Sequence, residues 1–356
     1  MHRRSTGIER ITRELFSADM LAPLPVETVE ASRSRFGVVT AQNLTLPLGA
    51  MRHRNDVFLF PGFPPSPWFS LACRERTVMY VHDVFLLTRR AELNMAARYY
   101  FAPLFALAVR SLRHFLVNSD YTASTLRAFC RDDATIVLCR PNVRNVFGLD
   151  AQGRGVRNPA PSVLTVTGIG TVEPRKNFRA AAEICAALSA RLGVPVNLQI
   201  IGRPGWGSDA AFLSQQPHVR LLGALPDAEV RAVVAASDLF ICTSRDEGLG
   251  LPLLEAQYAG LPVIAPDMPV FREALGSSGF LIDPQDARSA AAAIASLCSA
   301  ADWRAEFAQK AAANIARWNA LARVDQRNVY RLFETMLAAQ SGHSSTDARI
   351  VRSSAG

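Results

Sequence analysis

A pair of cations beside a glycine-rich strand end is the first group in this sequence that could do chemistry. Gly168 and Gly170 end an apolar run, and Arg175 and Lys176 follow a few residues later. Asn177 is the expected N-cap of the helix that comes next. Glycine lets the backbone come close to a ligand, and free N–H groups at a helix start attract anions. With one guanidinium and one ammonium beside them, the segment predicts a diphosphate site; a solvated basic pair is the alternative.

Two carboxylates around a Gly-Leu-Gly loop form the second candidate group. Glu247 precedes the loop, and Glu255 lies about one turn into the helix that Pro252 should open. The loop between them comprises Gly248, Leu249, Gly250 and Leu251. A carboxylate accepts several hydrogen bonds, so this spacing suits the hydroxyls of a polyol at a site rich in free backbone N–H groups. Spacing alone equally permits one loop carboxylate and one surface helix carboxylate.

The sequence contains no motif typical of metal binding or of dinucleotide binding. The six cysteines are widely scattered and include no C-x-x-C pair, which argues against a zinc site and against a disulfide framework. There is no Asp-x-Asp motif or other cluster of metal ligands. The dehydrogenase fingerprint would need a third glycine near Glu173, which is absent. We therefore expect no metal and no cofactor.

The elements that position these groups alternate regularly in the second half of the chain. Apolar runs predict strands at 163–167, 196–201, 219–222, 238–242 and 262–265, with helices at 177–192, 227–236 and 252–259. The first half repeats the theme with strands at 57–60, 78–81 and 115–118 and helices at 91–112 and 121–129, the longer of which Pro103 should kink or divide. Such alternation predicts an α/β fold with two Rossmann-like, doubly wound parallel sheets.

The domain boundaries follow from composition. Residues 150–162 are polar and rich in Gly and Pro, which is typical of an inter-domain linker. We therefore expect an N-terminal domain at 1–155 and a C-terminal domain at 156–320. A C-terminal helix at 321–340 could pack back on the N-domain, and the Ser-rich tail at 341–356 is expected to be disordered.

The combination of motifs resembles a known family. Arg175, Lys176 and Asn177 stand about seventy residues before the Glu247–Glu255 pair, as in the retaining GT-B glycosyltransferases of family 4, the glycosyl transferases group 1. Three further segments are similar to the family, at 201–207, 222–229 and 265–273. In the first half, the Gly-Ile-Glu-Arg that starts at Gly7 and the His-Asp that starts at His82 also look like family elements. The resemblance implies the GT-B fold, two Rossmann-like domains facing a cleft.

The resemblance also implies roles for individual residues. Arg175 and Lys176 would neutralise the donor diphosphate, Glu247 would bind hydroxyls of the donor sugar, and Glu255 would bind the nucleotide ribose. The backbone of residues 248–251 would contact the sugar and phosphate. Gly170 and Gly202 would line the donor pocket, and Gly7 would open a loop on the acceptor side. His82 would face the cleft near the sugar; a structural histidine is the alternative.

The expected activity is the transfer of a hexose, with retention, from a nucleotide diphosphate sugar to a saccharide or polyprenyl-linked saccharide in bacterial polysaccharide synthesis. The sequence does not identify the sugar; the Gly-Trp-Gly at 205–207 is similar to mannosyltransferases, which makes mannose one candidate. Two alternatives stay open. One is a sugar-nucleotide epimerase of a GT-B-like fold, which would need no acceptor. The other is a pseudoenzyme that binds a nucleotide sugar without turning it over.

Charge and hydropathy bear on location. The net charge is +8, of which residues 1–155 contribute +7, from 20 Arg and 13 Asp or Glu. No apolar stretch reaches the roughly 18–20 residues that span a bilayer, and no signal region follows the basic first residues. We expect a cytoplasmic protein without nucleic-acid motifs that works at the inner membrane surface. The apolar aromatic segment 99–112 fits that location, although an ordinary core helix is equally consistent with it.

One expected element has no counterpart in the sequence. A doubly wound domain should begin with a buried strand, but only six polar and basic residues precede Gly7. We therefore predict that the gene product extends upstream with a short apolar strand. The alternative is that a later segment, for instance part of 36–40, fills the position.

Overall fold

The computed structural model of the protein describes residues 7–30, 40–149, 162–300, 302–341 and 348–354. Two compact units result: unit 1 comprises Met1–Pro141 with Leu321–Gly356, and unit 2 comprises Asn142–Ala320. The boundary between the units falls after Pro141, which is earlier than the boundary expected at 155, because residues after Pro141 form hydrogen bonds within unit 2. For example, Val143 N–H donates to Asn319 Oδ1 at 2.7 Å. The linker expected at 150–162 lies, apart from its last residue, outside the described residues.

Unit 1 contains a parallel six-stranded sheet in the order β1-β12-β2-β3-β4-β5. Its strands are β1 (Val26–Glu30), β2 (Val57–Phe60), β3 (Thr77–Val81), β4 (His114–Val117), β5 (Thr135–Leu138) and β12 (Ile350–Ser354). The strands expected at 57–60, 78–81 and 115–118 are confirmed within one residue. All residues of β2 and β3 are buried, as expected for strands covered on both faces.

The helices of unit 1 that precede unit 2 in the chain are short. They are α1 (Gly7–Leu15), α2 (Ala18–Leu21), α3 (Leu46–Arg52), α4 (Pro67–Ala72), α5 (Phe85–Thr88), α6 (Ala102–Ser111) and α7 (Asp120–Arg127), with single 3₁₀ or π turns at Ala41–Thr45, Arg74–Arg76, Arg90–Glu92 and Ala97–Phe101. The helix expected at 91–112 is divided, as its proline predicted: a π turn leads into α6, which has Pro103 in its first turn. Phe105 and Val109 of α6 are buried in the core of the unit.

Strand β12 corrects two expectations about unit 1. The tail at 341–356 was expected to be disordered, yet Ile350–Ser354 is a strand inside the sheet. It lies parallel to β1 on one side and to β2 on the other, so it occupies the place for which an upstream strand or part of 36–40 was expected. Of that last segment, only residue 40 is among the described residues. Burial of Ile350 and Val351 explains why so polar a segment is ordered.

Unit 2 contains a second parallel sheet, in the order β11-β10-β9-β6-β7-β8. Its strands are β6 (Leu164–Ile169), β7 (Val196–Ile201), β8 (Val219–Gly223), β9 (Leu239–Ile241), β10 (Val263–Pro266) and β11 (Gly279–Ile282). Its helices are α8 (Phe178–Leu192), α9 (Asp209–Ser214), α10 (Asp227–Ala236), α11 (Leu251–Tyr258), α12 (Pro269–Leu275) and α13 (Ala287–Cys298), with a 3₁₀ turn at Pro174–Lys176. Every strand and helix expected in 163–265 is present. The candidate residues follow β6 and β9, which are neighbours at the centre of this sheet.

A 39-residue helix, α14 (Trp303–Ser341), ends the helical part of the chain. Its residues up to Ala320 belong to unit 2 and those from Leu321 to unit 1. In unit 1, the buried Asp325 carboxylate accepts from Arg140 Nη1 at 2.8 Å, and Gln326 Nε2 donates to Met20 O at 3.2 Å. Among the described residues, no helix combines the length and apolar character needed to cross a membrane.

Candidate functional site

Glycines in unit 2 allow two loops to pack directly on each other. The loop after β6 begins at Gly170, and the loop after β7 begins at Gly202. A Cβ on Gly202 would lie 1.8 Å from the carbonyl oxygen of Gly170, so only glycine fits there. The loops are joined by backbone bonds: Val172 N–H donates to Arg203 O and Gly205 N–H donates to Val172 O, each at 2.9 Å. Both candidate glycines therefore shape the strand ends that carry the cations.

Arg175 is held in place by carboxylate and carbonyl oxygens. Its guanidinium lies 3.0 Å from Glu173 Oε1 and 3.4 Å from Glu247 Oε2, and its Nη1 donates to Asp246 O at 3.0 Å. The side chain is 16% exposed. The alternative of a solvated basic pair is therefore wrong for Arg175, because its charge is enclosed and paired.

Lys176 is equally enclosed and forms an ion pair with Glu247. The turn that carries it ends at Asn177, which has a left-handed backbone with φ of 52°. Asn177 takes the N-cap position of α8, but its side chain makes no cap hydrogen bond, which corrects that expectation. Instead, Thr243 Oγ1 donates to the carbonyls of Lys176 and Asn177, at 3.2 and 2.9 Å. The segment after β9 thus fixes the turn after β6.

Glu247 stands between the two cations. Ser244 Oγ donates to its Oε1 at 2.9 Å, in addition to the ion pairs with Lys176 and Arg175. Burial would raise the pKa of Glu247, but the ammonium of Lys176 and the guanidinium of Arg175 outweigh it and lower the pKa below its usual value. The carboxylate is therefore ionised throughout the neutral pH range.

The loop after Glu247 leads into α11 through a conformation that needs glycine. Gly250 has φ of +77°, and a Cβ there would lie 2.8 Å from the ring of Phe271. The side chains of Leu249 and Leu251 are buried, with 4% and 9% exposure. They therefore belong to the core, and residues 248–251 can offer a ligand only backbone groups at the positive end of α11.

Glu255 lies on α11 and is only 7% exposed. The alternative of a surface helix carboxylate is therefore wrong for Glu255.

A pocket opens beside the ion pair of Lys176 and Glu247 in unit 2. It is lined by Ile169, Lys176, Phe178, Phe240, Ile241, Cys242, Thr243, Ser244, Glu247, Gly250, Pro252 and Leu253. Neither Arg175 nor Glu255 is among its lining residues, but ion pairs join Arg175 and Lys176 to Glu247.

In unit 1, His82 and helix α1 both contact one carbonyl. His82 directly follows β3, and its Nε2 lies 2.9 Å from Pro61 O at the end of β2. Helix α1 begins at Gly7, and its Thr12 hydroxyl also donates to Pro61 O, at 3.4 Å. Burial lowers the pKa of His82 to about 4, although its hydrogen bond to Pro61 opposes this. His82 is therefore neutral near pH 7, with its ring edge against Tyr80.

Sequence reasoning missed several residues that support the site. Glu173 forms an ion pair with Arg175, as Glu247 does. Thr243 donates a hydrogen bond to the backbone of Asn177, and Ser244 donates one to the carboxylate of Glu247. A local signal exists, because the run from Thr243 to Glu247 is polar and directly follows an apolar strand. Among the residues that the structure describes, no group of three or more His, Cys, Asp or Glu side chains could hold a metal ion.

Comparison with known proteins bears on the same segment. Residues 158–314 match the family described as glycosyl transferases group 1. We call these residues the group 1 domain; they make up 157 of the 356 residues of the chain. This domain contains every donor-side candidate from Gly170 to Glu255, while Gly7 and His82 lie outside the matched residues.

Curated relatives also match part of the chain. The chain is 32% identical over 141 residues to O-antigen chain mannosyltransferase B of Escherichia coli, covering 38% of this chain and 37% of that protein. It is 29% identical over 175 residues to phosphatidyl-myo-inositol mannosyltransferase of Mycolicibacterium smegmatis, covering 47% and 44%. The chain thus matches roughly two fifths of the length of these relatives.

Solved structures extend the likeness to both units. The structure of Anabaena HepE in complex with UDP and glucose matches with a TM-score of 0.65, covering 94% of this chain and 98% of that one at 16% identity. At this identity the likeness concerns the fold alone. The two Rossmann-like units have the GT-B fold that the sequence predicted.

Proposed function

We propose that this protein is a retaining glycosyltransferase that moves a hexose from a nucleotide diphosphate sugar to a saccharide or polyprenyl-linked saccharide. The observation that carries the proposal is the enclosed set of Arg175, Lys176 and Glu247 beside the glycine that opens α11. Two cations, one carboxylate and free helix N–H groups are the groups that a sugar diphosphate requires. The group 1 domain that holds them supports the same activity.

Each group has a distinct part in the proposed transfer. Arg175 and Lys176 compensate the negative charge that develops on the diphosphate as the bond to the anomeric carbon breaks. Glu247 accepts hydrogen bonds from sugar hydroxyls and holds the sugar beside the cations. Because these side chains and the start of α11 supply the compensating charge, we propose that transfer needs no divalent metal. No residue is assigned the part of a nucleophile.

Mannose is the proposed sugar. Two relatives that match part of the chain carry the name mannosyltransferase, and one of them is named for O-antigen chains. Glu255 is proposed to bind the nucleotide ribose, and Gly170 and Gly202 are proposed to let the loops after β6 and β7 approach the donor. On the acceptor side we propose Gly7 and a neutral His82.

The proposed location is the cytoplasmic face of a membrane. Met95, Tyr99 and Tyr100 are 72%, 65% and 44% exposed, and the guanidinium of Arg98 lies 5.6 Å from the Tyr99 ring centre. Exposed aromatic and basic side chains of this kind favour the interface of an anionic bilayer. Flotation with anionic vesicles should carry the wild-type protein but not a Tyr99→Ser, Tyr100→Ser variant, and equal flotation of both would refute this surface.

A donor screen followed by product analysis tests the proposed activity. Nucleotide diphosphate sugars should raise the unfolding temperature, since a ligand that binds the native state stabilises it. The stabilising donor is then incubated with saccharide and polyprenyl-linked acceptors, and the anomeric configuration of the product is determined by NMR. Transfer with retention supports the proposal. Donor turnover without acceptor would indicate an epimerase, binding without any turnover a pseudoenzyme, and an inverted product would refute retention.

A further inference from the structure

Strand β12 completes a βαβ arrangement whose first strand comes from the end of the described chain. In a βαβ unit, a strand leads into a helix, and a second strand then lies parallel beside the first. Here helix α1 is followed by β1, and β12 lies parallel beside β1 along five residue pairs, from Val26↔Ile350 to Glu30↔Ser354. The position from which a chain would run into α1 is thus filled by a segment that follows α14.

The place that β12 fills is a fitted slot between two strands. Its first residues bond to both neighbours: Ile350 N–H donates to Pro25 O at 2.8 Å, and Val57 N–H donates to Arg349 O at 2.9 Å. Three residue pairs, beginning at Ile350↔Val57, join it to β2. Without the segment, β1 and β2 would each present an unpaired edge inside the unit, where buried N–H and C=O groups need partners.

Side chains of the slot are specific for this segment. Val351 packs in a cluster with Phe58, Phe60 and Phe69. The buried Asp56 carboxylate accepts from Arg349 Nε at 3.2 Å and from the Arg349 backbone N–H at 3.4 Å. A carboxylate that is only 2% exposed strongly requires such a cationic partner. The slot therefore fits a strand in which a basic residue, here Arg349, directly precedes two apolar residues, here Ile350 and Val351.

The strand also connects to the elements that carry the acceptor-side candidates. Arg352 Nη1 donates to Phe16 O at 2.7 Å, immediately after α1. On the other side, β12 pairs with β2, whose following residue Pro61 accepts hydrogen bonds from His82 and Thr12. Removing β12 would therefore take away contacts that hold α1 and, through β2, the Pro61 carbonyl in position.

We propose that Ala348–Ser354 is a separable strand, which the slot between β1 and β2 accepts whether it is supplied from the end of the chain, from in front of Gly7 or as a peptide. Its role is positioning: it fixes α1 and, through β2 and Pro61, His82. The inference concerns the folding of unit 1 and does not depend on the proposed transfer reaction.

Four chains test the proposal. The first ends at Ser341 and lacks the strand. The second ends at Ser354 and is the length control. The third also ends at Ser341 but carries the sequence of Ala348–Ser354, with a short Gly-Ser link, in front of Gly7 in place of residues 1–6. The fourth is the third with Val351→Asp in the moved segment.

Hydrogen exchange of the amides in Val57–Phe60 gives the readout, with Leu164–Ile169 of unit 2 as an internal reference. We expect exchange in β2 to become at least tenfold faster in the first chain and to return to the control value in the third but not in the fourth. A synthetic Ala348–Ser354 peptide should likewise protect the first chain, and the Val351→Asp peptide should not.

Several outcomes would overturn the proposal. Unchanged protection of β2 in the first chain would show that the strand is dispensable. If the first chain is insoluble, the third decides: a soluble, protected third chain supports the slot, and an insoluble or unprotected one refutes it. Nucleotide-sugar binding by unit 2 is measured in parallel, so a failed donor site would be recognised separately from a failed slot.

Discussion

Replacing Glu247 by Gln should separate donor binding from sugar transfer. In the structure, Glu247 neutralises part of the charge of Lys176 and Arg175, which a diphosphate would also have to use. Glutamine has the same shape and can still accept the hydrogen bond of Ser244, but it removes the negative charge. Free nucleoside diphosphate should therefore bind more tightly to Glu247→Gln, while transfer should fall because the carboxylate no longer holds the sugar hydroxyls.

The size of the effect follows from the geometry. A phosphate held by the two cations would lie about 6 Å from the Glu247 carboxylate, where two unit charges interact by about 3 kcal/mol at an effective dielectric constant near 20. Solvent and salt screen part of this, so we expect a gain of about 1–2 kcal/mol, or roughly 5–30-fold in Kd. Because the pKa of Glu247 is lowered, the gain should persist throughout the neutral pH range.

Calorimetric titration with nucleoside diphosphate, at low and at physiological salt, measures the gain. The matched control is Glu183→Gln, which removes the same charge at an exposed position of α8 and should leave the affinity unchanged. Transfer is measured on the same preparations. Weaker binding of nucleoside diphosphate to Glu247→Gln than to wild type would refute the reasoning, since the carboxylate would then be supporting the cations and not competing with the diphosphate.

Three further predictions concern individual side chains. Arg175→Ala and Lys176→Ala should each weaken donor binding by roughly 1.5–3 kcal/mol, the range for a charge-assisted hydrogen bond, and unchanged affinity of the folded double variant would exclude this diphosphate site. Glu255→Ala should weaken binding of free nucleoside diphosphate, and wild-type affinity would refute the ribose assignment. The pKa of His82, about 4 when folded and 6.5 when unfolded, means that unfolding takes up a proton between these values, so stability is lost as pH falls through this window. Between pH 7 and pH 5 the loss should be about 2 kcal/mol, and His82→Gln should abolish it in denaturant titrations; an equal slope in both proteins would contradict the burial of a neutral ring. Transfer should survive dialysis against EDTA, and a complete loss restored by Mg²⁺ or Mn²⁺ would overturn the proposed metal-free reaction.

Local patterns were sufficient for most of unit 2. Apolar runs of strand length alternate there with helical patterns. Strands β9 and β10 are buried throughout, so consecutive apolar residues identify them in the sequence. Glycine and proline mark the loops for steric reasons that hold in any context, as at Gly250 and Pro252. The donor-side candidates were found from the sequence for the same reason, because they follow the ends of predicted strands.

Pairings between distant residues could not be read in the same way. The cap of α8 is one case, since Asn177 has the residue type of an N-cap but Thr243 holds its backbone in a left-handed conformation instead. The environment of Glu247 is another. Its lowered pKa and its ion pairs with two cations arise only when the loops after β6 and β9 come together.

The sequence by itself determined the two α/β halves, the strands that flank the candidate site and the residue types within it, because these depend on periodicity and local sterics. Only the tertiary structure decided that residues from 350 complete the sheet of unit 1. A run as short as Ile350–Ser354 in a Ser-rich tail has the composition of a loop, and nothing local stabilises it as a strand. It becomes one because β1 and β2 each provide an edge with which it can pair, and because the buried carboxylate of Asp56 binds Arg349, 293 residues away in the sequence. That stabilisation exists only once the rest of the unit has folded around the slot.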